Sequence, residues 1–246
     1  MKIILFLYGL IFGSFFNVVG LRVPMKQSIV RPRSACPHCQ HVLTPMELIP
    51  VLSYVIQGGK CRFCRERISP LYPFIEMLTG CLFVFAYLYH GISFQLLISL
   101  SIISLLIIIT VSDIRYMMIP DRILLFFLGL FLLERILIPL HPWWDSLFGA
   151  VVGFGLLLFI SIVSKGGMGG GDIKLFGVLG LLLGTKLILL TFFLATLVGT
   201  VGGVIGLAVG KVKKKQPMPF GPFIGIGALI SYFYGQDILQ WYFSFY

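Results

Sequence analysis

The chain is built from long apolar runs separated by short polar breaks. A helix needs roughly 20 predominantly apolar residues to cross a bilayer. Segments 3–21, 73–90, 93–112, 122–140, 145–164, 172–185, 187–210 and 220–236 approach that length. The pattern predicts an all-α, polytopic integral membrane protein of about eight transmembrane helices. The sixth segment is the shortest. The first run, "MKIILFLYGLIFGSFFNVVGLRVP", has the single basic residue, apolar core and small residues of a signal peptide. It continues to Gly20 without an obvious cleavage site, and basic residues follow, so it reads as a retained first span.

Composition strengthens this reading. The chain is 58% hydrophobic and only 11% charged, with mean hydropathy +1.01, whereas soluble domains carry about 25% charged residues. The net charge of +10 invites a nucleic-acid reading, but cytoplasmic loops of membrane proteins are enriched in Lys and Arg. With the N-terminus outside, loops 22–72, 113–122, 165–174 and 211–215 fall in the cytoplasm and hold sixteen of the nineteen Lys and Arg residues. Lys2, Arg135 and Lys186 are the exceptions. Lys174 and the cluster Lys211, Lys213, Lys214 and Lys215 should share a side, which requires two short spans between them. The basic cluster is then a topology anchor, with no direct nucleic-acid partner. The terminal "QDILQWYFSFY" reads as an aromatic belt at the outer interface.

The one long soluble segment carries Cys36-x-x-Cys39 and Cys61-x-x-Cys64. Four thiolates suit tetrahedral zinc in a closed, structural site. Two disulfides are the alternative, disfavoured in the cytoplasm, and a redox pair is another. His38 and His41 are expected to be solvated rather than ligands. Cys81, inside the second span, is expected to be a small buried apolar residue.

Only nine acidic residues occur. An ionisable group at a span marks a functional site by default. Asp113 ends the third span in "TVSDIRYMMIPD", and Asp172 opens the sixth in "KGGMGGGDIKL". Both fall at the cytoplasmic boundary. Two carboxylates that share a site cannot both ionise easily; one keeps a proton. The charged one can activate water while the protonated one donates to a scissile carbonyl. Glycines beside Asp172 permit close approach of another chain. No "GK[ST]" follows them, which excludes a phosphate-binding P-loop. The alternative is a flexible turn with Asp172 capping its helix. Asp121, after Pro120, reads as an N-cap with favourable charge at a helix start. Glu76, in "YPFIEML", lies just inside the second span and has no assigned role.

These residues also carry a family resemblance. "GSFFNVVGLRVP", "RSACPHC", "ELIPVLSYVIQGGKCRFC", "ISPLYPFIE", "SDIRYMMIPD", "GGGDIKL" and "PFGPFIGIGA" occur in that order. The chain resembles the type IV prepilin leader peptidases, closest to the competence-type members of Gram-positive bacteria. One departure is Arg-Ile-Leu after "IPD", where the family often has a threonine. The resemblance implies that Asp113 and Asp172 are the catalytic pair of an aspartic endopeptidase. It implies substrates as well: type IV prepilins or pseudopilins, cut after a glycine at the cytoplasmic face. Pilus or pseudopilus biogenesis, secretion or DNA-uptake competence is the setting it implies. It also implies S-adenosylmethionine-dependent methylation of the new N-terminal amine, associated with the cysteine loop. Three regions are expected: the first span (1–22), the cysteine loop (23–72) and the membrane peptidase domain (73–246). A peptidase with a purely structural zinc loop, an ion transporter using the boundary aspartates, and a scaffold with a zinc module are the competing readings.

Overall fold

Backbone polar groups in a bilayer have no water to bond, so a spanning segment must satisfy them internally. The computed structural model, which describes residues 1–210 and 218–244, answers with helices: α1 (Lys2–Arg22), the short α2 (Leu52–Ile56), α3 (Leu71–His90), α4 (Phe94–Tyr116), α5 (Asp121–Leu137), α6 (Asp145–Val163), α7 (Gly170–Ala208) and α8 (Gly221–Phe243). A 3-10 turn spans Pro45–Leu48. No strand is formed among the described residues, only two isolated bridges, Ala35 with Val42 and Lys60 with Arg67. Five helices, α1, α3, α4, α6 and α7, are long and apolar enough to cross a membrane. This is an all-α, multi-pass membrane architecture. The basic cluster at 211–215 lies outside the described residues.

The chain forms two compact units, Met1–Val111 and Ser112–Tyr246, with the boundary inside α4. In the first, α1 lies against α3 at backbone distance. A Cβ on Gly9 would sit 2.6 Å from the Gly80 Cα, and one on Gly13 would sit 2.8 Å from the Glu76 Cα. This small-xxx-small seam is how apolar helices approach closely in lipid. Cys81 is exposed on α3 rather than buried, because the helix turns that face away from its protein neighbours.

In the second unit α7 is a hairpin rather than one rod. The Phe176 and Phe192 rings lie 6.3 Å apart, whereas sixteen residues of straight helix would separate them by about 24 Å. The reversal falls at Gly184, with φ 77° and ψ 177°, a backbone state that favours glycine. The sequence places this break between 185 and 187, two residues later. Two charged side chains brace the turn. Arg135 donates through Nε to the Leu182 carbonyl at 2.9 Å, and through Nη2 to the same oxygen. The Asp145 carboxylate accepts from the Thr185 amide at 3.2 Å and hydroxyl at 2.6 Å. A cation thus closes the C-terminal end of the first arm and an anion the N-terminal end of the second, each matching the helix dipole it meets. Arg135, an exception to the loop-charge pattern, finds its reason here. Gly149 on α6 meets Gly180 and Gly184 backbone to backbone, so α6 holds the hairpin along a second glycine seam.

Candidate active site and metal centre

Asp113 stands in the last turn of α4 and is 6% exposed. The α8 N-terminus reaches it: the Gly221 amide donates to Oδ2 at 2.7 Å. First-turn amides have no partner within their own helix, and the dipole there favours an anion. A Cβ on Gly221 would come within 2.9 Å of Asp113 Oδ2 and 3.1 Å of its Cβ. A side chain where α8 begins would therefore crowd the Asp113 carboxylate. The sequence reading assigned no role to Gly221; its signal was a glycine directly before Pro222, at the expected start of a span.

Asp172 stands in the first turn of α7, half-buried, three residues after the N-cap Gly169. Its carboxylate reaches back to the Gly169 amide, one arm of a capping box. The capping alternative is thus correct as local structure. It does not exhaust the residue, because the charges of Asp113 and Asp172 also act on each other.

The glycine run explains how the two segments meet. A Cβ on Gly171 would lie 2.7 Å from the Ile119 Cβ, so this bare position seats the loop against the "MMIPD" segment that follows α4. Lys174 then pairs with both Asp121 oxygens at 2.8 Å. Asp121 itself is the first residue of α5, and Pro120 occupies the N-cap. The expected N-cap assignment therefore shifts by one residue: Asp121 makes no cap hydrogen bond, though its charge sits in the first turn as anticipated. The Ser112 hydroxyl donates to the Met118 carbonyl at 2.5 Å, folding the connection back on the end of α4. Two carboxylates that act on each other at helix ends are a pair that can activate a water and move protons at a bound carbonyl.

In the first unit the four cysteine sulfurs lie within 4.8 Å of one another. Cys36 and Cys64 are 3.8 Å apart, Cys39 and Cys61 3.9 Å, and all are free thiols. Four sulfurs around a tetrahedral ion at about 2.3 Å would be roughly 3.8 Å apart. The donor set fits a metal ion. Two copies of one turn build it. The Cys36 amide donates to the His41 carbonyl at 2.9 Å and the Gln40 amide to the Cys36 carbonyl at 3.0 Å; the Cys61 and Arg65 amides repeat this with Glu66 and Cys61 at 2.8 and 3.0 Å. Gln40 and Arg65 take matching positive φ of 57° and 60°. The amides of Cys64 and Phe63 draw the Cys61 thiol down to about 7, favouring the thiolate a metal needs. His38 is exposed as expected. His41 is not solvated: its ring packs on Phe63 at 3.6 Å, and Nε2 is buried beside Glu47. Stacking across the two turns outweighs hydration there.

Comparison with known proteins matches both units. Residues 7–90 match the bacterial peptidase A24 N-terminal domain, and residues 100–204 the type IV leader peptidase family. A prepilin leader peptidase/N-methyltransferase of Bacillus subtilis (strain 168) is 47% identical over 239 residues, covering 97% of this chain and 96% of the relative. Proteins of the same description from Pseudomonas aeruginosa and Aeromonas salmonicida (strain A449) are 34% and 32% identical, covering 97% and 98% of this chain and 92% and 93% of theirs. No solved structure matches. The two matched segments lie in the same order as the two sets of motifs, and the chain belongs to the type IV leader peptidase family.

Proposed function

We propose that the protein is a membrane aspartic endopeptidase that removes the leader of type IV prepilins or pseudopilins, and that it then methylates the exposed N-terminal amine. Asp113 and Asp172 are the catalytic pair. One carboxylate takes a proton from the attacking water; the other gives one to the carbonyl oxygen of the scissile bond. The observation that supports this reading is an electrostatic interaction between two acids from separate helices, one bonded by the Gly221 amide and the other by the Gly169 amide. The relatives' names supply the substrate class.

The N-terminus is outside, and both aspartates face the cytoplasm at their helix ends. A substrate's apolar helix can then stay in the bilayer while its leader meets the acids, and the bond after the leader's glycine is cut. Cys36, Cys39, Cys61 and Cys64 hold zinc as a structural ion, since four sulfurs leave no position for water. S-adenosylmethionine supplies the methyl group when bound. The eight-crossing topology and the three regions 1–22, 23–72 and 73–246 belong to the same proposal. The test is to reconstitute the protein in vesicles with a matched prepilin and the methyl donor, and to weigh the product. The expected product lacks its leader and carries an added methyl group. Intact prepilin accompanied by cation flux would support a transporter instead. A trimmed but unmethylated product would reduce the activity to a peptidase with a structural metal loop.

A further inference from the structure

Residues 45–56, "PMELIPVLSYVI", do not present the surface of a water-facing loop. The run is too short to cross a bilayer, but apolar runs of about 10–14 residues suit interfacial or re-entrant segments. Glu47, its one charged residue, turns Oε2 back onto the amide and hydroxyl of Thr44. The exposed residues are all apolar, Met46, Leu48, Ile49, Leu52, Val55 and Ile56 among them, the last two 67% and 74% exposed. The knuckle that follows is the opposite, and exposes Lys60, Arg62, Arg65 and Arg67.

Depth decides what these side chains meet. The Val51 amide, where α2 begins, donates to Glu76 Oε2 at 2.7 Å, and Glu76 also accepts from the Ser14 hydroxyl. A Cβ on Gly13 would sit 2.8 Å from the Glu76 Cα, so Glu76 lies level with Gly13 and Ser14 on α1. Those two residues precede Arg22, the last of α1, by nine and eight positions, about 12–14 Å along the helix. The 21 residues of α1 make a rod of about 31 Å, close to the thickness of the hydrocarbon layer. Even with the reach of a glutamate side chain, α2 starts deeper than the end of α1. Val51 holds φ 60° and ψ −50° there, a conformation costly for a β-branched residue, with its amide on the buried carboxylate. The neighbouring amides need no water: Glu47 donates to the Thr44 carbonyl, Ser53 to Ile49 and Val55 to Val51, and Pro45 and Pro50 have no amide. Paired amides meet the condition that lipid imposes. The surrounding charge suits anionic headgroups, since residues 22–72 carry eight Lys and Arg against two Glu.

We infer that residues 45–56 are a membrane-embedded element that sets Leu52, Val55 and Ile56 against lipid acyl chains and seats the cysteine module on the bilayer. This segment then leaves water, although the sequence reads all of 23–72 as soluble. The inference needs α1 and α3 to be spans, and it is independent of the reaction that the protein catalyses.

A phosphatidylcholine with a diazirine on its acyl chain tests it, in nanodiscs of phosphatidylcholine and phosphatidylglycerol that hold one copy of the full-length, metal-loaded protein. Photolysis and peptide mapping should mark 45–56 as strongly as α1 and α3, and leave 60–67 unmarked. Labelled α1 and α3 with an unlabelled 45–56 would overturn the inference. So would capture of 45–56 by a water-soluble carbene reagent to the same extent as 60–67. Val55→Asp and Ile56→Asp place a charge among the acyl chains. Each should lower acyl labelling of the segment about tenfold or more, with metal content and the labelling of α1 and α3 unchanged. Labelling insensitive to both charges would overturn the assignment of this face. Cross-links between two copies through 45–56 in place of lipid labelling would give the face to a second copy. Protection from water gained only when a prepilin is added would give it to the substrate. Either result would overturn the lipid assignment.

Discussion

Gly221 contributes to the site by having no side chain, since its amide can reach Asp113 only because no Cβ intervenes. Gly221→Ala should therefore push the Asp113 carboxylate aside. A misplacement of about 1 Å can lower turnover about 10²-fold, and the loss should appear in kcat while the helix content measured by circular dichroism stays constant. Asp121→Asn is the contrasting case. Its partner Lys174 is 52% exposed and Asp121 itself 61%, and such surface pairs contribute about 0–1 kcal/mol. Cleavage by that variant should stay close to wild type; a loss as large as that of an Asp113 variant would place Asp121 in the catalytic machinery. At this scale the sequence singled out both acids as candidates, because a carboxylate at the end of an apolar run is conspicuous. It missed Gly221, since a hydrogen bond across 108 positions leaves no local pattern. It also placed the α5 N-cap one residue late, because Pro120 supplies the extended residue that Asp121 was expected to provide.

Among the elements, the α7 hairpin shows what the hydropathy pattern could and could not reveal. Loop charge required two spans where the apolar run is nearly continuous, and the chain does reverse near the expected point. The pattern could not show how the turn is held. Arg135 and Asp145 stand on either side of the α5–α6 connection and act on backbone atoms some forty residues away. Arg135→Met would leave the Leu182 carbonyl without its donor, a loss of about 1–3 kcal/mol for a buried polar group. The expected result is a lower thermal midpoint in detergent with residual cleavage at mild temperature; an unchanged midpoint would mean that the turn is held by other contacts. Gly149→Leu should be harsher, because a side chain there meets the Gly180 and Gly184 backbone.

On the scale of the whole molecule, the two units hold different candidate groups: four cysteines that could hold a metal ion in Met1–Val111, and Asp113 and Asp172 in Ser112–Tyr246. Metal binding by thiolates releases protons and stabilises the fold around it. A strong chelator, or acidification that protonates the sulfurs, should release about one metal ion per chain and open Arg62, Arg65 and Arg67 to trypsin; protection that survives full metal loss would contradict a structural role. The motifs made the cysteine set legible, because C-x-x-C spacing fixes the turn that presents both sulfurs. The surroundings of Glu76 were not legible, since its carboxylate accepts from the Val51 amide 25 positions away.

The most direct measurement of the central claim is the cleavage rate of Asp113→Asn, Asp172→Asn and the double variant on one matched prepilin. Two acids sharing one proton-transfer site act as a unit. Each single substitution should lower the rate about 10²–10⁴-fold, and the double variant should lose little more than either alone. Rates near wild type in either single variant, or losses that multiply in the double, would contradict a single shared site.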